Sequence, residues 1–258
     1  MRTVKFIFDL DGTVTSQETL QLIAEHFGVQ EEISELTART IRDNVPFIES
    51  FIKRVHILGK LSVSGISSLL EKVALYGERR SELVDDLSSA AKGLMTTGAE
   101  RIIFACNTSY VFIPEVVKNI PELVGRIIHI IDSCAQEISK STNWEVGIVL
   151  LSTEGTIETG IYDKTFRKYD IEINSPGRED YEELRYFIEA VKQNCIDDEV
   201  AGRFLSFTKK FREENVILGY TELPILYGEC IKRDCEFSKK IYDPLQSAIN
   251  VLVNLWNS

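Results

Sequence analysis

The sequence predicts an α/β protein of two lobes, each built on a mainly parallel sheet flanked by helices, with a small all-helical, cap-like insert. Three observations predict it. From about Ser81 onward, short apolar runs alternate with helix-period segments, the rhythm of parallel sheets whose crossovers are helices. Two of those runs end alike. Ala105-Cys106-Asn107-Thr108 and Gly219-Tyr220-Thr221-Glu222 each bring a small residue, a reactive position and a hydroxyl-bearing polar pair to a strand's C-terminal end, where open α/β sheets hold their ligands. Between Glu31 and about Tyr76, by contrast, no strand is evident and apolar positions recur at helical spacing.

Taken in order, Val4 to Phe8 reads as a strand and Asp9-Leu10-Asp11-Gly12-Thr13 as a tight polar loop, followed by a helix over Thr19 to Phe27. The insert then reads as three or four short helices, broken near Pro46 and around Gly59 and Gly65. Leu83 to Thr97 is a helix that Gly98 can cap. Ile102 to Ala105 is a β-branched strand, Pro114 to Asn119 a short helix, Ile127 to Ile131 a strand, and Ser133 to Ser139 a helix. Val146 to Leu151 is a continuous apolar strand ending in the polar loop Ser152-Thr153-Glu154-Gly155-Thr156. Helices are expected over Tyr162 to Tyr169, Tyr181 to Gln193, Glu199 to Glu213 and Leu245 to Trp256. Strands are expected at Glu172 to Asn174, Val216 to Leu218 and Lys240 to Tyr242. The domain boundary falls near Gly77, giving units of 1–76 and 77–258.

Composition excludes several classes. Against 40 Asp plus Glu stand 29 Lys plus Arg, a formal charge of −11 with no basic stripe, which disfavours nucleic acid and anionic membranes as partners. A local cationic pocket for a small acidic substrate remains compatible with it. The five cysteines show no CxxC pair and no metal-ligand spacing, so a reducing cytoplasm is the simplest compartment. The apolar start is cut by Asp9, unlike a signal peptide, and no run approaches the roughly 20 apolar residues of a bilayer span.

The chemistry concentrates at Cys106. A thiol, ordinarily near pKa 8.5, can serve as nucleophile or proton carrier. A Cys–His hydrolase would need a histidine partner, and His26, His56 and His129 lie in no evident motif. Two equivalent strand ends facing one another suggest a different use. Racemisation without a cofactor needs a base on each face of the substrate's Cα, with neighbouring hydroxyls and amides to hold carboxylates.

From about residue 80 to 258 the chain resembles the aspartate/glutamate racemases, which work without pyridoxal phosphate. The matching pieces, in family order, are Ala105-Cys106-Asn107-Thr108, His129-Ile130-Ile131-Asp132, Ser152-Thr153-Glu154-Gly155-Thr156-Ile157 with Gly160 and Tyr162, Leu218-Gly219-Tyr220-Thr221-Glu222-Leu223-Pro224, and Asp243-Pro244. The resemblance implies two Rossmann-like lobes, a small acidic amino acid such as aspartate or glutamate as substrate, no cofactor, and Cys106 as one of two catalytic bases. It implies carboxylate binding by Asn107, Thr108, Thr153, Thr156 and Thr221. A homodimer is one assembly it leaves open. The departure is Tyr220, which occupies the second cysteine's place. A phenol near pKa 10 is a poor match for a thiol, and its ring is longer. Tyr220 is then either the acid of a one-base variant or packing in a site that has lost racemase activity.

The N-terminal stretch resembles a different family. Asp9 and Asp11, one residue apart at a strand end, can share a Mg²⁺ while one attacks phosphorus. Asp9-Leu10-Asp11-Gly12-Thr13 is similar to the first motif of the haloacid dehalogenase superfamily, and the likeness to its phosphoserine phosphatases runs to about Ala74. It implies Asp9 as nucleophile, Asp11 as general acid/base, and Glu18 and Arg54 as phosphoserine-binding cap residues. The phosphatase's later motifs have no recognisable counterpart: Thr108 could imitate one, while Asp197-Asp198 reads as a solvated helix start. The racemase-like part in turn lacks its family's glycine-rich first strand. The chain is therefore expected to fold with the borrowed strand before Asp9 in the same sheet as the strand before Cys106. Three functions stay open: racemase, Mg²⁺-dependent phosphatase, or an inactive relative that binds a small acidic ligand.

Overall fold

A computed structural model describes Ile7–Phe8, Glu31, Glu35, Arg80–Thr96 and residues 98–141 and 146–257. Its elements run β1 (Ile7–Phe8), α1 (Arg80–Thr96), β2 (Ile103–Phe104), α2 (Ile113–Asn119), α3 (Ile130–Ser139), β3 (Ile148–Leu151), α4 (Glu154–Thr159), α5 (Ile161–Phe166), α6 (Tyr181–Lys192), α7 (Asp198–Lys209), β4 (Asn215–Leu218), α8 (Leu223–Lys232), β5 (Lys240–Tyr242) and α9 (Pro244–Asn257). The strands form two sheets, β1–β2 and β3–β4–β5, and every pairing is parallel. Ile7 pairs with Ile103 and Phe8 with Phe104, so the strand before Asp9 and the strand before Cys106 share a sheet, as the sequence predicts. Of the insert, Glu31 and Glu35 are described, both helical and exposed. The helix expected over Thr19–Phe27, the insert's breaks, the boundary near Gly77, and Asp9, Asp11, Glu18 and Arg54 lie outside the described residues.

The three-stranded sheet is buried on both faces, which is why β3 reads as an unbroken apolar run. Side chains alternate along a strand, and here each set enters a different core. Ile148, Leu150, Ile217 and Tyr242 join a first core with Val84, Leu87, Phe104, Ile131 and Tyr162. Val149, Leu151, Val216 and Leu218 join a second with Leu184, Phe187, Phe204 and Leu226. The helices present apolar positions three or four residues apart: Val84, Leu87 and Ala91 on α1, Leu184, Phe187 and Ala190 on α6, and Val200, Phe204 and Phe207 on α7. Asp197 caps α7 by accepting from the Val200 amide at 2.9 Å, as its reading as a helix start implies. Gly98 ends α1 with φ +89°, its amide returning to Met95 O at 3.0 Å.

The strand expected over Ile127–Ile131 shrinks to one bridge, Ile102 with Ile127, and α3 begins already at Ile130. The cause is a tyrosine. The ladder starts normally: Ile102 N donates to Arg126 O and Ile128 N to Ile102 O, both at 2.9 Å. Its next rung would join Phe104 N to Ile128 O. Instead the Tyr110 hydroxyl stands between them, accepting from Phe104 N at 3.2 Å and donating to Ile128 O at 3.1 Å. The strands are wedged apart, and the freed chain turns into α3, whose first turn is capped by His129 Nδ1 accepting from Asp132 N at 3.4 Å. Burial holds the Tyr110 phenol far above its ordinary pKa, so the wedge is neutral throughout. The strand at Glu172–Asn174 is likewise a single bridge, Asn174 with Val149. α4 and α8 form where the sequence suggests loop.

Replacing Tyr110 with Phe withdraws the hydroxyl from both Phe104 N and Ile128 O. We expect a loss of roughly 1–3 kcal/mol in urea unfolding. A second outcome follows from His129, which burial holds down to about 4 against an ordinary 6.5, with Asp132 opposing the shift. Between those values the unfolded chain binds a proton that the folded chain refuses. Stability should therefore be complete above pH 6.5 and fall toward pH 4, by up to about 1.4 kcal/mol per pH unit from this group. His129→Gln should flatten that part of the pH–stability curve.

Candidate functional site

The site is built from three strand ends. At the first, β2 delivers a half-buried Cys106 and then turns at once. Asn107 takes helical angles (φ −58°, ψ −45°), and Thr108–Val111 form a tight helical turn. Ser109 Oγ donates to Cys106 O at 2.7 Å and fixes that turn. Asn107 is buried, and its Oδ1 accepts from the Tyr162 hydroxyl at 2.5 Å.

At the second end, Thr153 follows β3 and caps α4, its Oγ1 accepting from the Thr156 amide at 2.9 Å. The same Thr153 hydroxyl donates to Thr156 Oγ1 at 2.8 Å, and Thr156 Oγ1 lies 3.2 Å from Thr108 Oγ1. The last contact ties the β2 end to the β3 end. Three hydroxyls thus make two bonds among themselves, leaving a single O–H to spend. Thr156 is buried and Thr108 only half so, which favours Thr156 donating and Thr108 keeping the spare proton.

At the third end, Gly219 N donates to Leu151 O at 2.8 Å and carries the β3–β4 ladder one residue past β4. No side chain fits there. A Cβ on Gly219 would lie 2.6 Å from Leu150 Cδ1, 2.9 Å from Ser152 Cβ and 3.3 Å from Leu151 O. Tyr220 follows, half-buried, its ring packed against the second core. Thr221 is exposed, with its hydroxyl donated to Glu222 at 2.8 Å.

Of the residues the sequence singles out, Asn107, Thr108, Thr153 and Thr156 are brought together beside Cys106, whereas Thr221 stands apart on the surface. Tyr162 reaches the site although nothing marked it out beyond its place after Gly160 in a matching motif. Gly160, at φ +60°, ends α4 and starts α5, and that sharp reversal returns Tyr162 to Asn107. No disulfide joins the five cysteines. Among the described residues, no group of three or more His, Cys, Asp or Glu could hold a metal, and no helix is long and apolar enough to cross a membrane.

Known proteins place this arrangement. The family described as Asp/Glu/Hydantoin racemase matches residues 73–252. The chain belongs to that family. Among solved structures it is similar to an aspartate racemase homologue from Pyrococcus horikoshii OT3, at 28% identity and TM-score 0.58 over 73% of this chain and 80% of that one. A candidate Asp/Glu racemase from Yersinia pestis gives 26% and 0.54 over 69% and 74%. The glutamate racemase of Oceanobacillus iheyensis is 28% identical over 158 residues, 58% of this chain and 55% of its own length. Shorter matches go to phosphoserine phosphatases. That of Saccharomyces cerevisiae is 41% identical over 58 residues, 22% of this chain, and the chain spans only 19% of that enzyme's length. For the enzymes of Wolinella succinogenes and Archaeoglobus fulgidus the spans are 39% and 37% of their length. The racemase family model leaves the first 72 residues outside it, where the sequence shows the phosphatase-like motif.

Gly219→Ala tests the third strand end. The added methyl must push β4 away from Leu150 and Ser152, so we expect a loss of about 1–3 kcal/mol in thermal or urea unfolding. A shift in the Tyr220 ring resonances should accompany it.

Proposed function

We propose that this chain moves the α-proton of an acidic amino acid such as aspartate or glutamate, with Cys106 as the base and no cofactor. Membership of the racemase family supports the class of reaction. The observation that carries the reading is the surroundings of Cys106: a half-buried thiol with a buried carboxamide on one side and a self-connected threonine triad on the other. As a thiolate, Cys106 takes the proton from Cα, and the charge left behind spreads into the α-carboxylate. Neutral donors already in place at that carboxylate stabilise it without reorganising. Tyr220 holds the position of the second base. Its phenol, ordinarily near pKa 10, is a proton donor at neutral pH, which suits return of a proton to the opposite face better than removal from it.

A Mg²⁺-dependent phosphatase using Asp9 and Asp11 is favoured by the short phosphoserine phosphatase matches. Its decisive residues lie outside those described, so the racemase reading takes precedence.

The test is α-proton exchange of D- and L-aspartate and D- and L-glutamate in D₂O, followed by proton NMR. We expect exchange on at least one enantiomer, reduced about 10²-fold or more in Cys106→Ala. No exchange on any of the four overturns the reading. Phosphoserine hydrolysis that survives Cys106→Ala and fails in Asp9→Asn would establish the phosphatase instead.

A further inference from the structure

Tyr162 is a fully buried phenol whose one hydrogen bond among the described residues is to Asn107 Oδ1, at 2.5 Å. Its ring packs in the first core and lies along Phe166, 6.0 Å between centroids. Burial keeps the phenol neutral, far above its ordinary pKa. A neutral buried phenol must spend its proton on an acceptor, and Asn107 supplies the acceptor that is there. Turning the carboxamide over would set an N–H₂ group against the phenol oxygen and leave the phenolic proton unmatched. The Asn107 orientation is therefore fixed from behind, by a residue that itself faces the core.

That orientation determines what Asn107 offers in front. Its Nδ2 has no hydrogen-bond partner among the described residues. Nor is it sealed away, since the fully enclosed side-chain polar atoms without a partner there are Ser88 Oγ and Tyr242 Oη. Two N–H donors thus stand at the Cys106 edge, beside the one O–H left over from the threonine triad. The edge is populated by donors. A carboxylate satisfies them; an ammonium group would leave them facing other donors.

We propose that Tyr162 is a positioning residue: by holding Asn107 Oδ1, it keeps the Asn107 N–H₂ group turned toward the Cys106 edge and makes that edge select a carboxylate. The inference rests on the reading of this site as one for an acidic amino acid, and adds which end of the substrate lies here. The ammonium group is directed away from Asn107 and Thr108.

Tyr162→Phe keeps the ring and removes the proton. In the variant, ¹⁵N relaxation of the Asn107 side-chain amide should show its order parameter falling from a rigid value to below about 0.6. KM for the exchanging amino acid should rise about tenfold, the worth of one lost hydrogen bond to a charged acceptor, with kcat nearly unchanged. In the wild type, the Tyr162 phenolic proton should be slowly exchanging and show cross-relaxation to the Asn107 side chain, a reading that holds even if the variant fails to fold. An Asn107 amide as rigid in Tyr162→Phe as in the wild type overturns the inference, and so does a fast-exchanging phenolic proton. A wild type with no α-proton exchange, whose Asn107 amide nevertheless loosens in Tyr162→Phe, upholds the lock and removes the functional reading. Exchange with no change in Asn107 order does the reverse.

Discussion

The constraint on which the site depends is the double burial of β3 and β4. Each strand gives one set of side chains to the first core and the alternate set to the second. Polarity alone cannot set the register of such a strand, because a slip by one residue exchanges one apolar set for another. Sterics set it instead. Gly219 faces Leu150 and Ser152 at distances no Cβ tolerates, so this stretch of β4 can pair with β3 only where a glycine falls at that point. The register then places Tyr220 immediately beyond the last rung and beside the loop that carries Thr153. The identity of one glycine thus decides where the reactive position of the third strand end stands.

What the sequence made legible follows the same division. Continuous apolar runs and helix-period stripes report burial, and β3, β4, β5, α6, α7 and α9 were readable within a few residues for that reason. The third strand of the first sheet was not. Ile127 to Ile131 has the composition of a strand, but its pairing is ended by a hydroxyl from Tyr110, and no local pattern announces a wedge delivered across the chain. α4 was hidden differently: Glu154 to Thr159 is short and polar, and what starts it is the Thr153 cap. α8 lay unread behind Pro224, which marks a helix start as readily as a break. In the site, the motif residues Asn107, Thr108, Thr153 and Thr156 were found because their types suit carboxylates. Tyr162 was missed because a buried tyrosine on a short helix looks like core, and in its ring it is core; only its last atom belongs to the site.

The chain is strongly acidic overall, with a formal charge of −11, yet the site is read as one for an acidic ligand. The donors assembled beside Cys106 are hydroxyls and an amide rather than cations. Neutral donors fixed by their own hydrogen bonds hold an anion through direction rather than net charge, and they need no counter-charge of their own when the site is empty. The threonine triad shows the economy of this. Most of its hydrogen-bonding capacity goes into holding Thr108, Thr153 and Thr156 in mutual place, and one donor is left for a ligand.

The pairing of β1 with β2 explains how a segment like that of another family can stand at the front of this sheet. Among the described residues, β1 has β2 as its one neighbour, joined through Ile7 with Ile103 and Phe8 with Phe104. A parallel pairing asks of a strand mainly its backbone groups and apolar side chains of suitable size. Many short β-prone runs meet that demand, and Lys5-Phe6-Ile7-Phe8 is one. The requirement on β3 and β4 is far narrower, since two cores and a glycine contact must all agree. Replacement at the first strand is therefore tolerated by the same physics that forbids it in the second sheet. The residues grouped around Cys106 draw on β2, β3 and the helices after β3, and a changed first strand leaves their mutual hydrogen bonds intact.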